Sequence, residues 1–240
     1  MNEKYKKETV IESKEISKSE SYPVMPLRNT VLFPQQVIPI YIGRERSLKL
    51  IEELNPKDKH IVVVAQEDGS VEDPKPADLY AYGTLAVVLK VFDMPDNSKS
   101  AIVQGVQRVK ILSYVKEEPY YTASIERIDT KETNTGVELD ALKNNLHNTF
   151  NELVKVAPNL TEEHSGMLTN IKKPSRLADR AISLVSVPNA EKQDILEDFD
   201  IKKRVEKSIK ILNSEIQRIK LGEEIQSEVQ DEIAKSQREY

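Results

Sequence analysis

The chain has 240 residues, 35 Lys and Arg against 40 Asp and Glu for a net charge of −5, and 38% hydrophobic residues. This acidic balance argues against a phosphate-binding surface, which needs clustered Lys and Arg. The absence of cysteine excludes a disulfide scaffold and a cysteine-based zinc site and fits a reducing, cytoplasmic setting. No apolar run approaches the roughly 20 residues that span a bilayer.

Residues 1–21 mix Lys, Glu and Ser, bury too little apolar surface to offset ordering entropy, and are predicted to form a disordered tail. From 22 to about 130 the pattern is that of strands. Val37–Ile42, His60–Gln66, Gly83–Phe92, Ser100–Leu112 and Tyr120–Ile128 are rich in β-branched and aromatic residues. The run MPDNSKS, Met94–Ser100, predicts a hairpin between the third and fourth of these. Several runs are apolar on both faces, which predicts a closed or covered sheet. One short helix, Arg44–Leu54, interrupts them. It should bury Leu50, Ile51 and Leu54 and turn Glu45, Arg46 and Lys49 to solvent. Pro26, Pro34 and Pro39 lie within one apolar stretch. Proline lacks the ladder donor, so this spacing predicts short strands meeting at irregular corners. It also predicts an apolar tip around Leu32 and Phe33, with burial in the core as the competing reading.

After the polar run Asp129–Gly136 the period changes from 2 to 3.6. Helices are expected over Val137–Ala157, Leu160–Ile171, Pro174–Val185 and Asn189–Phe199, the last capped by Asn189. Residues 200–240 read as one long helix. Ile201, Val205, Ile209, Leu212, Ile216 and Ile219 form a stripe that should dock on the preceding helices. Beyond Gly222 a second stripe, Leu221, Ile225, Val229 and Ile233, faces another direction. It is expected to contact another subunit or domain. The chain ends without a helix-stop signal, and more protein is expected to follow.

No catalytic constellation is visible. The seven glycines never fall at phosphate-loop or dinucleotide spacing. His60, His147 and His164 lack metal-ligand spacing, and no serine sits in a nucleophile elbow. No metal and no cofactor are expected on these residues. A binding and assembly module remains.

Four blocks then carry a resemblance: PVMPLRNTVLFPQQVIPIYIGRERSLKLIE from Pro23, DLYAYGTLAVVLKV with AIVQGVQRVKI, PSRLADRAIS, and KQDILEDFDIKKRVEKSIKILNSEI. In this order they resemble the N-terminal domain of the Lon family of ATP-dependent proteases. The resemblance implies an α+β fold, in which a PUA-like β-barrel lobe over 22–130 precedes a helical bundle over 137–199 and the long helix. It implies capture of misfolded or degron-bearing proteins for a hexameric, Ser–Lys, ATP- and Mg-dependent protease. It further implies an ATPase and peptidase beyond Tyr240, so this chain alone is expected not to be an enzyme. Leu32, Phe33, Glu45, Arg46 and Lys49 are the candidate client-binding residues. A stand-alone PUA-like module for peptide or RNA is the alternative. No nucleic-acid or membrane partner is expected.

Overall fold

The computed structural model describes residues 20–130 and 136–238. Residues 1–19, most of the expected tail, lie outside the described residues. The tail boundary itself is corrected. Glu20 and Ser21 belong to the folded lobe, because Glu20 pairs with Arg127 and Ser21 opens the first strand.

Six strands form the N-terminal lobe: β1 (Ser21–Leu27), β2 (Val37–Ile42), β3 (His60–Ala65), β4 (Tyr82–Asp93), β5 (Lys99–Lys116) and β6 (Thr122–Arg127). Helix α1 (Glu45–Glu52) follows β2. The sheet order is β2-β5-β4-β3-β1-β6, and β6 pairs again with β5. That second pairing closes β1, β3, β4, β5 and β6 into a barrel and leaves β2 as an edge strand. The length of β5 makes this possible. Its first half pairs with β2 and its second half, Val109–Lys116, pairs with β6. Register shifts in both the β4–β5 and β5–β6 ladders bend the strands, as barrel corners require.

The prolines have distinct reasons. Strand β1 holds Pro23 and Pro26, and its composition hid it from the sequence reading. Ser21–Pro23 pairs only with β6, and Val24–Leu27 only with β3. Neither proline therefore needs a donor on both sides. In β2, Gly105 N donates to Gln36 O at 2.9 Å. Residues 36, 38, 40 and 42 are thus bonded to β5, and Pro39 turns its missing donor outward. That blunts the free edge.

Five helices follow: α2 (Val137–Val156), α3 (Glu162–Thr169), α4 (Pro174–Leu184), α5 (Asn189–Glu197) and α6 (Ile201–Arg238). Asn189 is the first helical residue, and Pro188 occupies the cap position instead. Ile201, Val205, Leu212 and Ile216 are buried against the bundle, with Ile209 and Ile219 partly buried beside them. Helix α6 is continuous through Gly222. At 1.5 Å per residue its 38 residues span about 57 Å.

The two lobes share a core. Val31, Phe33 and Ala65 from the barrel side pack with the helical cluster that includes Phe150, Leu177, Ile182 and Ile195. A buried ionic joint lies beside it. Arg108 on β5 donates through Nη1 and Nη2 to Asp179 on α4 at 2.9 and 2.7 Å, and through Nε to Leu196 O at 2.8 Å. Arg204 on α6, fully buried, places Nη1 3.6 Å from the same carboxylate and donates through Nε to Asp198 O. One carboxylate thus ties strand β5, helix α4 and helix α6 together.

Candidate polypeptide-binding surfaces

The expected apolar tip is corrected. Leu32 is 3% exposed and Phe33 1% exposed. Leu32 enters the barrel core, and Phe33 enters the shared core between the lobes. The helical bundle returns more than a hundred residues later to cover a segment that looks open in local sequence. Backbone bonds then hold it: Thr84 Oγ1 donates to Leu32 O at 2.6 Å, Phe33 N to Gln36 Oε1 at 3.0 Å, and Gln35 N to Gly105 O at 2.8 Å. In this arrangement neither side chain can meet a client.

Glu45, Arg46 and Lys49 do fall together. All three line one cleft of about 470 Å³ between α1 and the loops carrying Asp73 and Glu118. Leu50 and Ile51 bury the opposite face of α1 in the barrel, which fixes the charged face outward. Arg46 donates through Nη1 to Glu117 O at 2.5 Å and through Nη2 to Glu118 Oε1 at 2.7 Å, lies 3.7 Å from Asp73, and stacks over the Tyr121 ring at 5.1 Å. Burial opposes its charge, but Tyr121, Glu118 and Asp73 outweigh that and hold its pKa above the ordinary value. Lys49 and Glu45 pair at 2.8 Å. That bond lowers the Glu45 pKa and raises that of Lys49. Arg44 beside them reaches the buried Gln66 at 2.6 Å. Its pKa is lowered by burial and then by Arg28. The cleft therefore presents polar groups that are already paired, over an aromatic wall of Tyr120 and Tyr121.

The exposed apolar surface lies elsewhere. Ladder register places Tyr41, Ser100 and Phe92 in one row across β2, β5 and β4, then Pro39, Ile102 and Lys90, then Val37, Gln104 and Val87. Successive side chains alternate across a sheet, so these rows share its outer face. Tyr41 is 68% exposed, Val37 49% and Phe92 41%. Leu89 and Met94 are exposed near the same end of the hairpin. The sequence carried a signal for this. In VIPIYI, the inward set 38, 40, 42 alternates with an outward set 37, 39, 41 that is also apolar. An apolar outward set on an edge strand marks a contact surface.

Leu221, Ile225, Val229 and Ile233, the second stripe of α6, are all exposed. Among the described residues, no group of three or more His, Cys, Asp and Glu is placed to hold a metal ion, and no helix is long and apolar enough to cross a membrane.

A closed barrel docked on a helical bundle, with an apolar sheet face beside a charged cleft, has the form of a polypeptide-binding module. Residues 21–214 match the family described as the ATP-dependent protease La (LON) substrate-binding domain, and the chain belongs to that family. It is 41% identical over 223 residues to the Lon protease of Koribacter versatilis, covering 92% of this chain and 27% of the relative. Identity to the Lon protease of Dictyoglomus thermophilum is 38% over 221 residues, covering 92% and 28%. The chain thus spans roughly a quarter of the length of these curated relatives. The N-terminal domain of a Mycobacterium avium complex Lon protease superposes with a TM-score of 0.61 at 21% identity, over 82% of this chain and 98% of that one. A Lon N-terminal domain protein from Xanthomonas campestris gives 0.57 at 16% identity, over 78% and 95%. At these identities the likeness concerns the fold.

Proposed function

We propose that this chain recognises unfolded protein segments for an ATP-dependent Lon protease of the cytoplasm, and that the outer face of β2, β5 and β4 makes the first contact. The carrying observation is the row of exposed apolar residues, Tyr41 and Phe92 flanking Ser100, on a face that no described element covers. Folded proteins bury such side chains, so a surface of this kind selects chains that have failed to do so. The cleft of Glu45, Arg46 and Lys49 supplies polar selection alongside. Its charges arrive paired, so it discriminates by shape and hydrogen bonding more than by net attraction. ATP and Mg, together with Ser–Lys peptide cleavage, are assigned to other segments of the whole protein. The second α6 stripe is assigned to contact with a neighbouring subunit in a hexamer.

The test uses a labelled, permanently unfolded probe, reduced and carboxymethylated α-lactalbumin, followed by fluorescence anisotropy. Tyr41→Asp with Phe92→Asp removes two aromatic anchors and should weaken binding about tenfold or more. Both side chains are exposed, so the melting temperature should hold. A variant that melts like the parent and binds the probe equally well refutes this surface. Tighter binding to an RNA oligonucleotide than to the probe favours the stand-alone nucleic-acid reading.

A further inference from the structure

A second groove, of about 620 Å³, runs between the loop Phe33–Val37 and the segment Asn170–Ser183. Its bundle-side wall carries Lys172 and Lys173 from the segment before α4, and Arg176 and Arg180 from α4 itself. Among its described lining residues the only acid is Asp179, which is buried and already bound in both arms by Arg108. Lys172, Arg176 and Arg180 therefore face one groove of a chain whose net charge is −5, with Lys173, which has a partner of its own, beside them. Clustered like charges repel, and a concave wall concentrates their field, so the groove draws anions. The facing wall is rigid. Gln35 N and Gly105 N exchange backbone bonds with β5 and the loop, and Gln35 adopts a φ of 64°.

One residue connects this groove to the sheet face. Val37 lines the groove and also ends the outward set of β2 that begins at Tyr41. Tyr41 and Val37 are four residues apart, about 13 Å along an extended strand. We propose that the groove binds the acidic part of an extended polypeptide whose apolar part lies on the sheet face, so that the preferred client carries an Asp- and Glu-rich cluster about four residues from an apolar anchor. This rests on the sheet-face reading above and adds the chemical class of the client. Charge alone suits a nucleic acid as well as an acidic peptide, and the lack of an accessible stacking platform selects the peptide. Phe33, the only aromatic residue among the described lining residues, is buried and cannot stack on a base.

The test compares labelled peptides of about 14 residues. They share a Leu-Phe anchor and a four-residue spacer, followed by either DEDE or NQNQ. At about 50 mM salt the acidic peptide should bind at least about tenfold tighter than the neutral one, and the gap should close near 500 mM. Lys172→Glu with Arg176→Glu, both exposed and neither holding another described side chain, should abolish the gap and leave the neutral peptide's affinity unchanged. Tyr41→Ser should weaken both peptides. Loss of binding by the neutral peptide reports on the sheet face alone, so failure of that reading is separable. Equal affinities for the two peptides overturn the groove assignment. So does a gap that survives the double variant in folded protein, or displacement of the acidic peptide by a single-stranded oligonucleotide at lower concentration than by unlabelled DEDE peptide.

Discussion

Asp179→Ala should be the most damaging single truncation of a polar side chain in this molecule. The carboxylate accepts both arms of the Arg108 fork, at 2.9 and 2.7 Å, and stands 3.6 Å from Arg204 Nη1. All three side chains are nearly inaccessible to water. Removing the carboxylate leaves two guanidinium charges buried near each other and takes away the anion they share. Breaking one buried pair costs about 3–5 kcal/mol, and a carboxylate shared by two cations should reach the upper half of that range. The reverse truncation is milder. Arg108→Met leaves Asp179 with Arg204 as its partner, so the loss is that of charge-assisted hydrogen bonds, about 1–3 kcal/mol. The chain supplies two separate probes for a urea titration. It has no tryptophan, and every described tyrosine lies in the barrel lobe, at 22, 41, 80, 82, 114, 120 and 121. Seven of the nine tyrosines therefore report on the barrel, so the change in tyrosine fluorescence follows chiefly that lobe, and circular dichroism at the helical band follows the bundle. The parent should unfold with coincident transitions. In Asp179→Ala the two probes should separate, because the ionic joint between β5 and α4 is lost and only the packing of Val31, Phe33 and Ala65 on the bundle still couples the lobes. Equal costs for Asp179→Ala and Arg108→Met would refute the shared-carboxylate account, as would a loss below about 1 kcal/mol for the aspartate.

Gly105→Ala should cost about 1–3 kcal/mol, because a Cβ there collides with the Phe33 carbonyl and pushes the 33–36 loop off β5; denaturation midpoints of the two proteins check this. Tyr114 provides a pH test. Burial, and then Tyr121, raise its pKa to about 12. The folded state holds this proton more tightly than the unfolded chain, so stability should fall as pH rises from about 10 to about 12 and be unaffected below, by at most about 2–3 kcal/mol before allowance for partial exposure. Among the described residues the Tyr114 hydroxyl has no hydrogen-bond partner, so Tyr114→Phe should be neutral or slightly stabilising at pH 7 and should flatten the alkaline limb; a variant as alkali-sensitive as the parent shows that another group titrates. The two stripes of α6 should separate cleanly. Leu212→Ala, at a fully buried site, should cost about 2–5 kcal/mol, whereas Ile225→Ala should stay within about 0.5 kcal/mol. Deleting residues 222–240 should leave the melting temperature intact and abolish any self-association seen by sedimentation velocity.

Most elements were legible because their signals are local. The runs at Val37, His60, Gly83, Ser100 and Tyr120 show β-branched bias, and MPDNSKS supplies the turn, with Asn97 at a φ of 64°. The helices announced themselves by period. Strand β1 was missed because two prolines in seven residues violate the usual strand composition, and only its split pairing to β6 and β3 makes them acceptable. The joint at Arg108, Asp179 and Arg204 was also invisible. Each residue sits in an ordinary-looking segment, and only the meeting of β5, α4 and α6 brings them within bonding distance. Burial of charge is a property of tertiary packing, and no spacing rule encodes it.

The misplaced apolar tip has the most consequence for function. VLF, Val31–Phe33, and VIPIY, Val37–Tyr41, are equally apolar in sequence, and only one of them can face water as a contact surface. The choice is made by the helical bundle. It packs on Val31 and Phe33, and so converts the first segment into the floor between the lobes. The second segment stays outside because β2 is an edge strand, and Pro39 keeps that edge from pairing with a neighbour's strand. An apolar face next to a blocked edge can hold a client by its side chains without recruiting it into the sheet. Side-chain contacts of this kind release more readily than a new β-ladder. Under the proposed function clients are passed onward, and the same proline that puzzles a reading of the strand pattern would supply the reversibility this needs.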